Sequence, residues 1–237
     1  MFLTLKKYDI ISCLMAVLLA FITFNYIKDG AESVVTSAIP VSGRVIVIDA
    51  GHGYPDGGAV GESGVMEKDL NLAIAFKLQK LLEQGGAQVL LTRADDNAVV
   101  ENLNQKIREI KRSDLKTRRD FKNDSGCDAF VSIHMNKFPE SQYSGAQVFY
   151  AKEPAESKVL GDTIQSKLKE MVAPDNNRVA KTTDGSIFIL KDSKVPSVIV
   201  ECGFLSNSQE ESLLQTEEYQ DKIAFAVYAG ILEYLGK

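Results

Sequence analysis

The chain has 237 residues, 45% of them hydrophobic and 25% charged, a composition that excludes an intrinsically disordered protein and allows one domain with a sizeable core. A formal net charge of -5 argues against a nucleic-acid binder, which carries a basic face. Trp is absent, so any stacking on sugar rings would fall to Tyr and Phe.

The first element is apolar. Residues 10–27 read IISCLMAVLLAFITFNYI, without a charge, which is at the lower end of what crosses a hydrocarbon core. Lys6 and Lys7 before it favour a cytoplasmic amino terminus with the remainder outside. Residues 1–28 therefore read as a membrane anchor or a signal peptide, although no small-residue cleavage site follows closely. Either reading exports the domain. Cys13 opens the apolar run, where a lipidation cysteine would close one. Residues 29–43 are small and polar, a tether to a globular domain over 44–237.

That domain opens with RVIVIDAGHG, whose β-branched run predicts a fully buried strand ending at Gly51. A glycine-rich loop leads to Glu67. Leu70, Ile74, Leu78, Leu81 and Leu82 recur at helical spacing, and Gly85-Gly86 stops that helix. AQVLLTR is a second strand. The basic cluster from Lys106 to Arg119 is interrupted by Glu109 and Asp114 and reads as a solvated helix surface. The segment 94–113 matches no motif and reads as a helical insertion near the cleft. DAFVSIHMN and GAQVFYA are strands, Glu156 to Met171 an amphipathic helix, and Ala173 to Gly185 a polar loop. SIFIL and SVIVECG are strands, and Glu217 to Leu235 is the closing helix. The alternation predicts one three-layer α/β domain, its mostly parallel sheet covered by helices on both faces. Cys127 and Cys202, about seven residues apart along parallel strands, are too distant for a disulfide.

The two histidines are the most informative residues. His52 follows VIVID and His134 ends AFVSI, so both belong at the carboxyl rim where open α/β sheets bind ligands. Glu201 ends SVIV, and Glu67 starts the helix after the first loop. Two imidazoles and two carboxylates at one edge suit a catalytic zinc with an open position for water. Zinc lowers the pKa of such a water to about 7, and a carboxylate off the metal can move its proton. Blander readings stand beside this one. Each histidine can be a packed polar residue, and Glu67 can simply favour the positive end of a helix. A carboxylate closing a buried strand, as Glu201 does, needs a partner. The glycine-rich loop lacks a phosphate-binding pattern.

The segments IDAGHGYPDGGAVG, GVMEKDLNL, SIHMN and VECGFLSN resemble the zinc-dependent N-acetylmuramoyl-L-alanine amidases of type 3. The resemblance covers nearly all of 44–237 and implies a mixed sheet of about six strands. It also implies one zinc ion on His52, Glu67 and His134, with Glu201 as the acid/base. SGAQVFYA, NNRVAK and VECGFLSNSQEESLL resemble the germination-specific group within that family, which acts on spore cortex as a first step toward muramic-δ-lactam. Peptidoglycan is the partner implied, with membrane contact through the amino-terminal segment and scope for an activating protein. Asn136 and Arg178, in loops near the rim, are candidate substrate contacts. Two alternatives remain at this level: a zinc peptidase cutting within the stem peptide, and a non-catalytic wall-binding module.

Overall fold

The computed structural model describes residues 15–23, 39–100, 106–183 and 185–237. Residues 15–23 are helical and belong to a unit separate from the one running Ile39–Lys237. Among the described residues no helix is long and apolar enough to cross a membrane. Of the expected span of 10–27 only residues 15–23 are among those described, and most of the tether lies outside them. The larger unit begins five residues before position 44 and takes in Val41, which is fully buried.

Six strands form one sheet: β1 (Val45–Ala50), β2 (Gln88–Leu91), β3 (Ala129–Asn136), β4 (Gln147–Tyr150), β5 (Lys181–Thr182) and β6 (Ser197–Phe204). Their spatial order is β2-β1-β3-β6-β4-β5. β4 runs antiparallel to β6, and all other neighbours are parallel. Parallel neighbours need crossovers, which helices supply. These are α1 (Glu67–Gln84), α2 (Ile107–Asp124) and α3 (Glu156–Met171); the short α4 (Ser208–Leu214) and α5 (Glu217–Leu235) follow the last strand.

Strand alternation divides the side chains between two layers. Ile46, Ile48, Val131, Ile133, Val198 and Val200 join Leu78, Ile164 and Val227 of α1, α3 and α5 in one continuous apolar core. Burying each such side chain is worth roughly 1.5–3 kcal/mol. Val47, Phe130 and Ile199 face the other way, into a smaller cluster with Ile189 and Leu190.

Two expectations are corrected. SIFIL is not a strand: Phe188–Leu190 is a 3-10 turn. β6 already has β3 and β4 on either side, and the edge beyond β4 is taken by β5, which lies inside the stretch expected as a polar loop. The run instead turns back and buries Ile189 and Leu190 against Val47, Phe130 and Ile199. The basic cluster is also not simply a solvated surface. α2 turns Ile110, Asp114, Arg118 and Lys122, four residues apart, into the protein.

Candidate functional site

β1 connects to β2 on one side, and the chain then returns to place β3 on the other. The crevice beyond the carboxyl ends of β1 and β3 is therefore the switch point at which such sheets bind ligands. His52 lies two residues past β1 and His134 near the end of β3. Glu201 is the register partner of His134 on β6, so both side chains leave the same face of the sheet. Glu67 reaches them from the first position of α1.

The geometry is close. Glu67 Oε1 lies 2.9 Å from His134 Nδ1 and accepts from the Met135 amide at 3.0 Å. Its other oxygen lies 3.2 Å from His52 Nε2 and accepts from the Ala59 amide at 2.8 Å. One ligand atom from each of His52, Glu67 and His134 falls within 4.8 Å of the others, a set of nitrogen and carboxylate donors that fits a single zinc-sized cation. Burial works against ionised Glu67, but hydrogen bonds from His134 and His52 win and hold its carboxyl well below the usual range. Burial likewise opposes a charged His52, yet Asp56 and Glu67 raise its pKa to about 9. The two rings and the carboxylate thus converge on a common point.

Two glycines make room for it. A Cβ on Gly51 would stand 2.2 Å from His134 Nε2. One on Gly58, whose φ is +69, would stand 2.5 Å from Glu67 Oε2. His52 itself holds a positive φ of 63, a conformation that costs a residue with a Cβ about 1–2 kcal/mol. Its surroundings impose it. Arg93, buried, donates from Nε to the Ala50 carbonyl at 2.9 Å and from Nη2 to that of Gly51 at 3.1 Å. Arg118 Nη2 donates to the carbonyl of His52 itself at 2.5 Å.

Glu201 differs from every other carboxylate nearby. Its Oε2 is screened from water and has no hydrogen-bond partner. Burial and the charge of Glu67 push its pKa up to about 7, against the pull of His134 and His52. An unpaired buried oxygen beside a ligand cluster suits a group that exchanges a proton near neutrality. The neighbouring Cys202 is fully buried, and burial pushes its thiol far up, so it is no nucleophile. Cys127 and Cys202 are both free.

The cleft is a cavity of about 260 Å³ whose lining includes His52, Asp56, Lys111, Arg118, His134 and Ile189. Lys111, from the unmatched segment 94–113, thus lines the cleft. The sequence reading missed Asp56, whose signal was a carboxylate four residues after His52 on the same loop. It also missed Arg93 and Arg118. Asn136 is half-buried at the end of β3, and its carbonyl accepts from Leu205 at 2.8 Å. Arg178 sits one strand beyond Glu201. It donates to the Ser144 carbonyl at 2.8 Å and to Gln147 Oε1 at 3.0 Å, and stacks 4.6 Å over the ring of Phe204.

A mostly parallel α/β sheet with two imidazoles and two carboxylates at its switch point defines an α/β protein with a candidate metal centre. The chain belongs to the N-acetylmuramoyl-L-alanine amidase family, whose sequence profile matches residues 46–233. It is 36% identical over 229 residues to the germination-specific N-acetylmuramoyl-L-alanine amidase of Bacillus subtilis, covering 97% of this chain and 95% of that one. The CwlD amidase from Clostridioides difficile, solved in complex with the GerS lipoprotein, superposes with a TM-score of 0.79. It is 46% identical and is matched over 81% of this chain and 98% of its own. The catalytic domain of CwlV, an amidase from Bacillus (Paenibacillus) polymyxa, gives a TM-score of 0.67 at 32% identity over 81% and 98%. The activity is that of the family, hydrolysis of the N-acetylmuramoyl-L-alanine amide of peptidoglycan.

Proposed function

We propose that one zinc ion per chain is held by His52, Glu67 and His134, and that Glu201 is the catalytic acid/base. The observation that carries this reading is the juxtaposition of the three-ligand cluster with the unpaired Oε2 of Glu201 on the adjacent strand. When bound, the metal supplies a Lewis acid for the lactyl carbonyl and a water of lowered pKa. Glu201 accepts the proton of the attacking water and delivers it to the departing alanine nitrogen. Its pKa near 7 lets one group do both. Asn136 and Arg178, on the rim to either side, contact the glycan or the stem peptide.

The substrate is spore-cortex peptidoglycan, where this cut precedes muramic-δ-lactam formation; the likeness to a germination-specific amidase supports this. The domain, residues 44–237, works outside the cytoplasmic membrane after export by residues 1–28, which stay as an anchor or are cleaved, with 29–43 as the tether. A lipoprotein partner, by analogy with the relative solved with one, activates it.

The test is to incubate the protein with cortex and with vegetative wall, with and without zinc, and to read the fragments by mass spectrometry. Zinc-dependent release of peptides beginning at L-Ala, greater from cortex, is the expected result. Fragments cut within the stem peptide would reject the amidase assignment. Glu201→Gln should bind zinc as the parent does and turn over about 10²–10⁴-fold more slowly; near-normal turnover would remove Glu201 from the mechanism.

A further inference from the structure

The ring and the backbone of His52 are held by different groups, and both lines of contact lead to one helix. The ring's Nδ1 lies 2.9 Å from Asp56 Oδ2, which leaves Nε2 as the nitrogen turned toward Glu67. The other oxygen of Asp56 meets Lys111 Nζ at 2.7 Å. The backbone carbonyl of His52 accepts from Arg118 Nη2 at 2.5 Å. Lys111 and Arg118 are seven residues apart on α2, about two turns, so they leave the helix on the same side.

Arg118 is itself rigidly seated. Its side chain is 1% exposed. Nε donates to Asp114 at 2.7 Å, and Nη1 to Asp49 and to the Ala50 carbonyl at 2.7 Å each. Asp49 in turn accepts from Ser132 at 2.5 Å and Thr92 at 2.7 Å. The fork therefore cannot swing away from His52 without breaking a buried network that spans β1, β3 and α2.

We infer that α2 positions the His52 ligand: Arg118 fixes its backbone in the left-handed conformation, and Lys111, acting through Asp56, fixes the rotation of its ring. This rests on the reading of His52 as a metal ligand. Lys111 and Arg118 are positioning residues, acting through Asp56 and through the His52 carbonyl. Glu67 and His134 are carried by α1 and β3, outside α2. A shift of α2 would therefore loosen one ligand of three, which makes metal affinity the quantity the helix controls.

A double-mutant cycle on the full chain tests this, with zinc affinity read by chelator competition and ligand geometry by the visible absorption of the Co²⁺-loaded protein. Lys111 is 46% exposed and Lys111→Met keeps its stem, so the fold should persist; melting of the metal-free protein checks it. Asp56→Asn should weaken zinc binding about 10–100-fold, as loss of an outer partner of a ligand does. Lys111→Met should weaken it about 10-fold, the low end of that range. The double variant should bind no more weakly than Asp56→Asn alone, because the lysine acts through the aspartate. Arg118→Lys, if it folds, should alter the Co²⁺ spectrum as well as the affinity. Parental zinc affinity in Lys111→Met, or additive losses across the cycle, would overturn the inference while leaving the metal site intact. Failure of the parent protein to bind zinc would overturn both.

Discussion

The two faces of the sheet differ in that only one of them buries charged groups beside its apolar ones. Toward α1, α3 and α5 the strands present aliphatic side chains to a single apolar core. Toward α2 they present the smaller apolar group of Val47, Phe130 and Ile199 but also Asp49, Ser132, His134 and Glu201, and α2 sets Asp114, Arg118 and Lys122 on that side. Apolar packing is non-directional, so the first face sets which elements lie together. Buried ion pairs contribute little net stability over apolar replacements, but their hydrogen bonds have direction. The second face accordingly sets where a carbonyl or a ring points, and that is the face on which the site is built.

The widest contrast is expected from truncating one residue on each face. Arg118→Met leaves Asp49 and Asp114 buried without their cation and should cost about 3–5 kcal/mol. Leu78→Ala on the apolar face should cost about 2–5 kcal/mol and leave zinc affinity unchanged. Urea unfolding of the metal-free protein, paired with zinc titration of the folded fraction, separates the two. If Leu78→Ala weakened zinc binding as much as Arg118→Met, the division of labour between the faces would collapse.

A smaller effect of opposite sign is expected at Glu201. Its pKa in the folded protein, about 7, lies above its ordinary 4.5, so folding favours the protonated form. The stability associated with this group is full below about pH 4.5 and is lost as pH rises through 7. Gln keeps the shape without the charge. Metal-free Glu201→Gln should therefore match the parent near pH 4 and exceed it near pH 8 by roughly 1–3 kcal/mol. Equal stability at both pH values would mean that this carboxylate is not burdened by burial.

The same contrast explains what was legible in the sequence. The helices that cover the apolar face, α1, α3 and α5, follow the residues whose hydrophobic spacing predicts them. The strand ends placed His52, His134 and Glu201 on one rim. Arg118 and Asp114 were misread because charged residues are seldom buried unless paired, and Asp49, the partner, is 69 positions away. Nothing local marks such a pair. Phe188–Leu190 was misread because a short apolar run fits a strand as well as any other buried segment. β5, two exposed polar residues at the sheet edge, carries no hydropathic signal.

The least effect should come from the charges that lie outside both layers. Lys77 of α1 pairs with Glu217 and, at 2.7 Å, with Asp221 of α5. These contacts bridge two helices over the apolar core, much as Arg118 bridges α2 to β1. The carboxylates, however, are 85% and 62% exposed, so water competes for them and neither is stranded when the lysine goes. Lys77→Ala should cost at most about 1 kcal/mol, and that cost should fade at high salt, as screening of exposed pairs requires. The loss in Arg118→Met should persist in the same salt. A salt-independent loss at Lys77 comparable to that at Arg118 would mean that burial is not what gives the α2 contacts their weight.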